Sequence, residues 1–186
     1  MALTESNSFE NETLAPDFAL QDVVKEKTVT LQGLKGQKGT VIMFICNHCP
    51  FVIHVNAQLV KLANAYKNKG IGFIAISSND VENYPQDRPE LMKQVVADLN
   101  YPFPYLYDES QDVAKAYDAA CTPDFYVFNT SLKATYHGQL DHSRPGNGIP
   151  VSGEDLRKAI DAILNNELPL DNQKPSVGCG IKWKVK

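Results

Sequence analysis

The clearest pattern in the chain is a short apolar run over residues 41–45, followed at once by a segment with helical spacing. The run is rich in β-branched and aromatic residues, which is typical of a strand buried on both faces. Because proline is favoured at the first position of a helix, we expect a helix from Pro50 through residue 64 or 66. A second apolar run covers residues 71–76. This order of strand, helix and strand predicts a parallel pair joined by a right-handed crossover.

The rest of the hydrophobic pattern adds elements on both sides of this unit. Apolar and polar positions alternate over residues 16–20 and 28–31, as they do in strands with one buried face. Further along, the pattern predicts a helix over 89–99, an extended connector over 101–107, a short helix over 111–117, a hairpin of strands 125–128 and 134–137, and a last helix that begins after Ser152. We expect an α/β domain over residues 14–168, preceded by a flexible arm, 1–13, and followed by a tail, 169–186.

Length and charge exclude several classes of partner. A chain of 186 residues is long enough to bury about 70% of its unfolded surface in one domain. Its net charge is -4 and it has no block of basic residues, which argues against nucleic acid and anionic membranes as partners. The first 13 residues lack the basic and apolar regions of a signal peptide, and no apolar run approaches a membrane span. We therefore expect a cytoplasmic protein, a monomer or a homodimer, whose cysteines are reduced or cycling thiols.

Two of the four cysteines, Cys46 and Cys49, lie at the junction between the buried strand and the helix. Cys49 directly precedes the first helical position, where unpaired N–H groups and the helix dipole favour a thiolate, the nucleophile of disulfide exchange. The alternatives are two buried thiols that act as small hydrophobic side chains, or a metal site that includes His48. No second ligand pair of zinc spacing follows, because Cys121 and Cys179 each stand alone. The pattern favours a redox site that needs neither a metal nor a cofactor.

Further residues are candidates for supporting this site. His48 adjoins Cys49, so it either lowers the pKa of that thiol as an imidazolium or lies on the surface. Asn79 follows the second strand and is expected at the same sheet edge as the cysteines, unless it only caps a loop. Arg144, in a loop rich in glycine and proline, either supplies positive charge to Cys49 or is solvated. Cys179, between two glycines, is a possible alternative resolving thiol.

Several short motifs occur together in this chain. They are APDFAL (15–20), CNHCPFV (46–52), PFPYLYD (102–108), CTPDF (121–125) and SRPGNG (143–148). As a set they resemble the peroxiredoxin-like subgroup of the thioredoxin-fold family, which includes the redoxins and relatives of alkyl hydroperoxide reductase. The resemblance implies a thioredoxin-like fold, a central mixed β-sheet flanked by helices, with an N-terminal redoxin-type strand extension. It also implies that Pro123 is a cis-proline facing the cysteines, with Thr122 beside it and Cys121 near the pair or packed close by.

Departures from the family favour one activity over another. In peroxiredoxins the cysteine before a proline reacts with peroxide, and this position matches Cys49. However, Cys46 replaces the usual threonine, and Pro123 takes the place of a supporting arginine. We therefore expect a thiol–disulfide oxidoreductase in which Cys49 attacks a protein or small-molecule disulfide, Cys46 resolves the mixed disulfide, and a cellular thiol is the reductant. The alternatives are an antioxidant thiol peroxidase that reduces hydroperoxides through a Cys49 sulfenic acid, and a non-catalytic binding module.

Overall fold

The computed structural model describes residues 3–185, and within them it contains two β-sheets and five α-helices. The strands are β1 (Leu3–Glu5), β2 (Ala19–Asp22), β3 (Lys27–Thr30), β4 (Gly39–Phe44), β5 (Ile71–Ser77), β6 (Tyr105–Tyr107), β7 (Cys121–Thr122), β8 (Asp124–Asn129), β9 (Ala134–Gly138) and β10 (Val177–Gly180). The helices are α1 (Leu31–Leu34), α2 (Pro50–Tyr66), α3 (Pro89–Leu99), α4 (Asp112–Ala116) and α5 (Glu154–Leu164). In this part of the chain, none of the helices is both long enough and apolar enough to cross a bilayer.

The larger sheet has the strand order β3-β2-β6-β5-β4-β8-β9. Its centre is the parallel pair of β4 and β5, and β4 also pairs antiparallel with β8. The hairpin of β8 and β9 forms one edge, and the hairpin of β2 and β3 extends the other edge through β6. This mixed sheet flanked by helices confirms the thioredoxin-like α/β fold with its N-terminal strand extension.

Strand β4 is apolar from Val41 to Phe44 because both of its faces are covered. Val41 and Met43 pack into one core, which also contains buried side chains of α2, α3 and α5. Ile42 and Phe44 point to the opposite face and pack into a second core, which contains buried side chains of α1 and α4. The continuous apolar run in the sequence is therefore the signature of a central strand between two helical layers. This strand ends where the cysteine segment begins.

Strand β6 was missed in the sequence pattern, which predicts only an extended connector over residues 101–107. In the structure, Tyr105–Tyr107 pairs parallel with β5 and antiparallel with β2. Pro102 and Pro104 both precede the strand, so neither removes a donor from its hydrogen-bond ladder. Pro102 and Pro104 favour an extended connector in the sequence. In the structure they only limit where the strand begins.

The two ends of the described chain meet in a second sheet with the order β1-β10-β7. The sequence predicts a flexible arm over residues 1–13 and a separate tail over 169–186, and the structure differs on both. Strand β1 pairs antiparallel with β10, and β10 pairs antiparallel with β7. Two of the four residues of β10 are glycines, so its sequence lacks the alternation of apolar and polar side chains that predicts a strand. Residues 1, 2 and 186 lie outside the described residues, and the domain boundaries at 14 and 168 stay a prediction.

A buried leucine on α2 tests the packing of this helix against the sheet. Leu59 is fully buried in the core, so Leu59→Ala should lower the free energy of unfolding by about 2–5 kcal/mol. Ile53 lies on the same helix but is 57% exposed, and Ile53→Ala should change it by no more than about 0.5 kcal/mol. Urea unfolding followed by circular dichroism measures both values. Equal losses in the two variants would contradict the described orientation of α2.

Candidate active site

The end of β4 and the start of α2 position the two neighbouring cysteines. The helix begins at Pro50, as the sequence predicts, and Cys49 is its N-cap residue with an extended backbone. The carbonyl of Cys49 accepts hydrogen bonds from the N–H groups of Val52 and Ile53, both at 3.0 Å. The thiol of Cys49 makes no capping hydrogen bond to the helix. The sulfur therefore faces the other groups of the site while the positive end of the helix dipole lies next to it.

Three sulfur atoms meet at this junction. The Sγ atoms of Cys49 and Cys179 are 2.7 Å apart, and Cys49 Sγ is 3.3 Å from the carbonyl oxygen of Thr122. Cys46 Sγ lies 3.5 Å from the hydroxyl of the same threonine, and the peptide bond between Thr122 and Pro123 is cis. Cys46, Cys49 and Cys179, which we call the three-thiol centre, are 2%, 0% and 3% exposed and form no disulfide. The structure thus brings together four predicted site residues and the predicted alternative resolving thiol.

The three thiols differ in pKa, and therefore in how readily each loses its proton. The S–H of Cys46 donates to the sulfur of Cys49 and is the largest cause of the lowered pKa of Cys49, about 5, against the opposing effect of burial. The neighbouring thiol of Cys179 lowers the pKa of Cys49 further. Donation to Cys49, together with burial, raises the pKa of Cys46, while burial and then donation to Cys49 raise the pKa of Cys179 to about 12. At neutral pH the centre therefore carries one negative charge, on Cys49.

A buried carboxylate that the sequence analysis missed, Asp87, organises the loop between the two cysteines. Its Oδ1 accepts hydrogen bonds from the backbone N–H groups of Asn47 and His48, and its Oδ2 contacts His48 Nδ1 at 2.7 Å. Asn79 donates to the same Oδ2. The hydrogen bond to Asp87 is the main cause of a raised pKa at His48. Asp87 lies 39 residues from His48, at the end of a short 3-10 helix over Pro85–Asp87, and no local motif marks it.

The hydrogen bonds of Asp87 also argue against a metal site at this place. One ligand atom from each of Cys46, His48 and Asp87 lies within 4.8 Å of the others. Both oxygens of Asp87, however, accept hydrogen bonds from Asn47, His48 or Asn79, and His48 Nδ1 is engaged with this carboxylate. A metal ion would have to displace these bonds. The donor set fits a hydrogen-bonded cluster that shapes the cysteine loop better than a cation site.

The remaining candidates lie farther from the chemistry. Arg144 donates to the backbone carbonyls of Asp141 and Ser143 and to the side chain of Gln139, so its guanidinium is bound within its own loop. The sulfur of Cys121 lies 4.0 Å from the carbonyl oxygen of Ser176. The largest contributions to the low pKa of Cys49 come from neighbouring thiols, and neither Arg144 nor His48 is among them.

Comparisons with known proteins agree with this geometry. The family model described as the AhpC/TSA family matches residues 12–137. Thiol-disulfide oxidoreductase ResA from Halalkalibacterium halodurans is 28% identical over 142 residues, which cover 73% of this chain and 72% of that protein. An uncharacterized conserved protein from Geobacillus kaustophilus is 59% identical, with a TM-score of 0.98 over 100% of this chain and 98% of that chain. A hypothetical protein from Sinorhizobium meliloti 1021 is 44% identical, with a TM-score of 0.96 over 98% of this chain and 100% of that chain.

The contribution of Cys46 to the low pKa of Cys49 can be measured directly. Cys46→Ala removes the S–H that contributes most, so the pKa of Cys49 should rise from about 5 toward the ordinary thiol value of about 8.5. Cys46→Ser keeps a donor and should raise it less. The measurement is the rate of alkylation of Cys49 by iodoacetamide as a function of pH, followed by mass spectrometry. In the control, Cys121→Ala, the midpoint should not move; a midpoint unchanged in Cys46→Ala would refute the described hydrogen bond.

The pair of His48 and Asp87 predicts a second pH effect. Because the carboxylate raises the pKa of His48, Asp87→Asn should return it toward about 6.5. The pair stabilises the fold fully below the unfolded pKa of histidine, and this part of the stability is lost as pH rises through the raised folded pKa. The stability difference between wild type and Asp87→Asn should therefore be larger at low pH than at high pH.

Proton NMR titration of the His48 ring measures the shift, and urea unfolding on both sides of its pKa measures the stability difference. Asp98→Asn, which alters an exposed carboxylate on α3, is the control and should leave the titration of His48 as it is. A His48 titration that is the same in wild type and Asp87→Asn would show that the described pair does not control this imidazole.

Proposed function

The chain belongs to the AhpC/TSA family, and on that premise we propose that it is a thiol–disulfide oxidoreductase with Cys49 as its nucleophile and Cys46 as its resolving thiol. The observation that carries the proposal is the arrangement around Cys49, whose sulfur lies at the N-terminus of α2 and 2.7 Å from the sulfur of Cys179, and whose pKa is lowered by the neighbouring thiols of Cys46 and Cys179. A thiolate at neutral pH is the reactive form in disulfide exchange. The similarity to a protein named as a thiol–disulfide oxidoreductase supports the same activity.

The first step is attack by the Cys49 thiolate on one sulfur of a substrate disulfide. A bond forms between Cys49 and that sulfur, the substrate disulfide breaks, and the other substrate sulfur leaves as a thiolate that takes up a proton. The product is a mixed disulfide between Cys49 and the substrate. This step consumes the negative charge that the thiols of Cys46 and Cys179 stabilise in the resting site.

The loss of this charge prepares Cys46 for the second step. In the resting site its S–H donates to Cys49, and this is the largest cause of its raised pKa. Once Cys49 is part of a mixed disulfide, that cause disappears, and Cys46 loses its proton more easily. Its thiolate then attacks the sulfur of Cys49, so that a bond between Cys46 and Cys49 forms and the second substrate thiol leaves. A thiol reductant restores both cysteines.

A thiol peroxidase is the second candidate, and the position of Cys179 favours it. In that reaction a hydroperoxide oxidises Cys49 to a sulfenic acid, which a neighbouring thiol converts to a disulfide with release of water. Cys179 Sγ is 2.7 Å from Cys49 Sγ, where it suits this condensation. Against this activity, Arg144 is engaged with carbonyl groups of its own loop and does not supply the arginine that the family uses to hold peroxide and thiolate.

The test compares two substrates with the same preparation of reduced protein. We expect rapid reduction of insulin disulfides and slow oxidation by hydrogen peroxide in a stopped-flow measurement. Cys49→Ser should abolish the insulin reaction because it removes the nucleophile, and Cys46→Ser should slow the reaction because it removes the resolving thiol. Cys121→Ser, whose sulfur contacts Ser176 instead of Cys49, is the matched control and should retain activity.

Three other outcomes would decide against the proposal. Peroxide oxidation faster than insulin reduction would favour the peroxidase. Full insulin reduction by Cys49→Ser would exclude Cys49 as the nucleophile, while no reaction of the wild type with either substrate would favour a binding module without turnover.

A further inference from the structure

Strand β10 brings a cysteine to the nucleophile by regular strand pairing. It pairs antiparallel with β7, so that Cys179 lies opposite Thr122 and Gly180 lies opposite Cys121. The carbonyl of Thr122 is also 3.3 Å from the sulfur of Cys49. The residue that pairs with Cys179 is therefore the residue that borders the nucleophile. Pairing with the backbone of an exposed edge is how a protein binds an extended peptide as an added strand.

The glycine before Cys179 permits this close approach. A Cβ atom on Gly178 would lie 2.0 Å from the carbonyl oxygen of Thr122, far inside contact distance. Only a residue without a side chain lets β10 lie this close to β7. Gly180, on the same strand, is less restricted, because its nearest neighbour is the side-chain hydroxyl of Thr4 at 3.0 Å.

Contacts on both sides of Cys179 hold the strand in this register. Before it, Val177 lines a small cleft together with Phe51, Pro123 and Phe125. After it, the backbone of Lys182 forms two hydrogen bonds of 2.8 Å, one with the side chain of Asn79 and one with the N–H of Asp80. Apolar packing and hydrogen bonding therefore both place the sulfur of Cys179 next to Cys49.

This arrangement has the features of a bound substrate. An extended segment lies along the edge of β7, an apolar residue two positions before its cysteine enters a cleft beside the cis-proline, and its sulfur contacts the nucleophile. On the basis of the function proposed above, we propose that Cys179 is a third redox-active thiol, which β10 presents to Cys49 as an internal substrate. The disulfide first formed between Cys46 and Cys49 passes to Cys49 and Cys179.

The exchange balances without any added reagent. Cys179 gives up its proton, and its sulfur forms a bond with the sulfur of Cys49. The bond between Cys46 and Cys49 breaks, and Cys46 leaves as a thiolate that takes up a proton. One disulfide exists before and after the step, and its oxidising equivalents come from the substrate disulfide that Cys49 has already reduced. The step links β10 covalently to the start of α2.

Trapping of the internal disulfide in Cys46→Ser tests the proposal. The reduced variant is mixed with oxidised glutathione, quenched with acid, treated with N-ethylmaleimide and mapped by mass spectrometry without reduction. The main product should be the disulfide of Cys49 with Cys179, because the glutathione adduct on Cys49 is displaced by its neighbour. Persistence of the glutathione adduct with an alkylated Cys179 would overturn the proposal. In the wild type, both internal disulfides should appear, and the one containing Cys46 should form first.

A pair of glycine variants tests the role of strand position without removing a thiol. In the Cys46→Ser background, Gly178→Ala moves β10 away from Thr122 and should slow formation of the internal disulfide by about tenfold or more. Gly180→Ala on the same strand is the matched control and should change the rate little. Equal rates in the two variants would contradict the register on which the proposal rests. Circular dichroism checks that both variants fold, and if Gly178→Ala does not, the mapping of Cys46→Ser decides alone.

Different experiments would refute the role of Cys179 as an internal substrate and the proposed oxidoreductase function. An inactive Cys49→Ser combined with an unreactive Cys179 would refute the internal substrate and leave the oxidoreductase standing. Insulin reduction that survives in Cys49→Ser would refute the oxidoreductase mechanism itself. Cys121→Ser controls for loss of a buried thiol and should give the same disulfide map as the wild type.

Discussion

A buried negative charge on the sulfur of Cys49 is the constraint on which the rest of the site depends. Burial by itself would protonate this thiol, so the charge exists only because the fold supplies donors to it. The helix N-terminus follows from the sequence of Pro50 and its neighbours, while the two thiol donors come from the loop after β4 and from β10. Two distant parts of the chain, the junction between β4 and α2 and strand β10, must be in place before the nucleophile is active.

Asp87 adds a second negative charge close to the first. This charge raises the pKa of Cys46 further above that of Cys49. Its own charge is compensated by His48, Asn79 and a backbone N–H, so it stays ionised in a buried place. The same charge contributes to the raised pKa of Cys46. Cys46 therefore keeps its proton and donates it. Environments that push two pKa values apart assign different chemical roles to otherwise similar groups.

The sequence predicts the fold and half of the site because both depend on local pattern. The two-faced apolar run of β4 and Pro50 at the start of α2 are features of neighbouring residues, and they place Cys46 and Cys49 correctly. Asp87 and Cys179 reach the site through contacts between distant segments, and nothing in their immediate sequence indicates those contacts. The two glycines that flank Cys179 favour it in the sequence as an alternative resolving thiol. In the structure the preceding glycine instead permits close packing against Thr122.

The contact that closes the site joins residues 130 positions apart. Contacts of such long sequence separation carry a cost in loop-closure entropy, and folds that depend on them form more slowly than folds with local contacts. The local unit of β4, α2 and β5 can assemble first, with its two cysteines already at the strand–helix junction. Until β10 docks on β7, Cys49 lacks one of the two thiols that lower its pKa. A newly made chain therefore has its two neighbouring cysteines in place before its nucleophile reaches full reactivity.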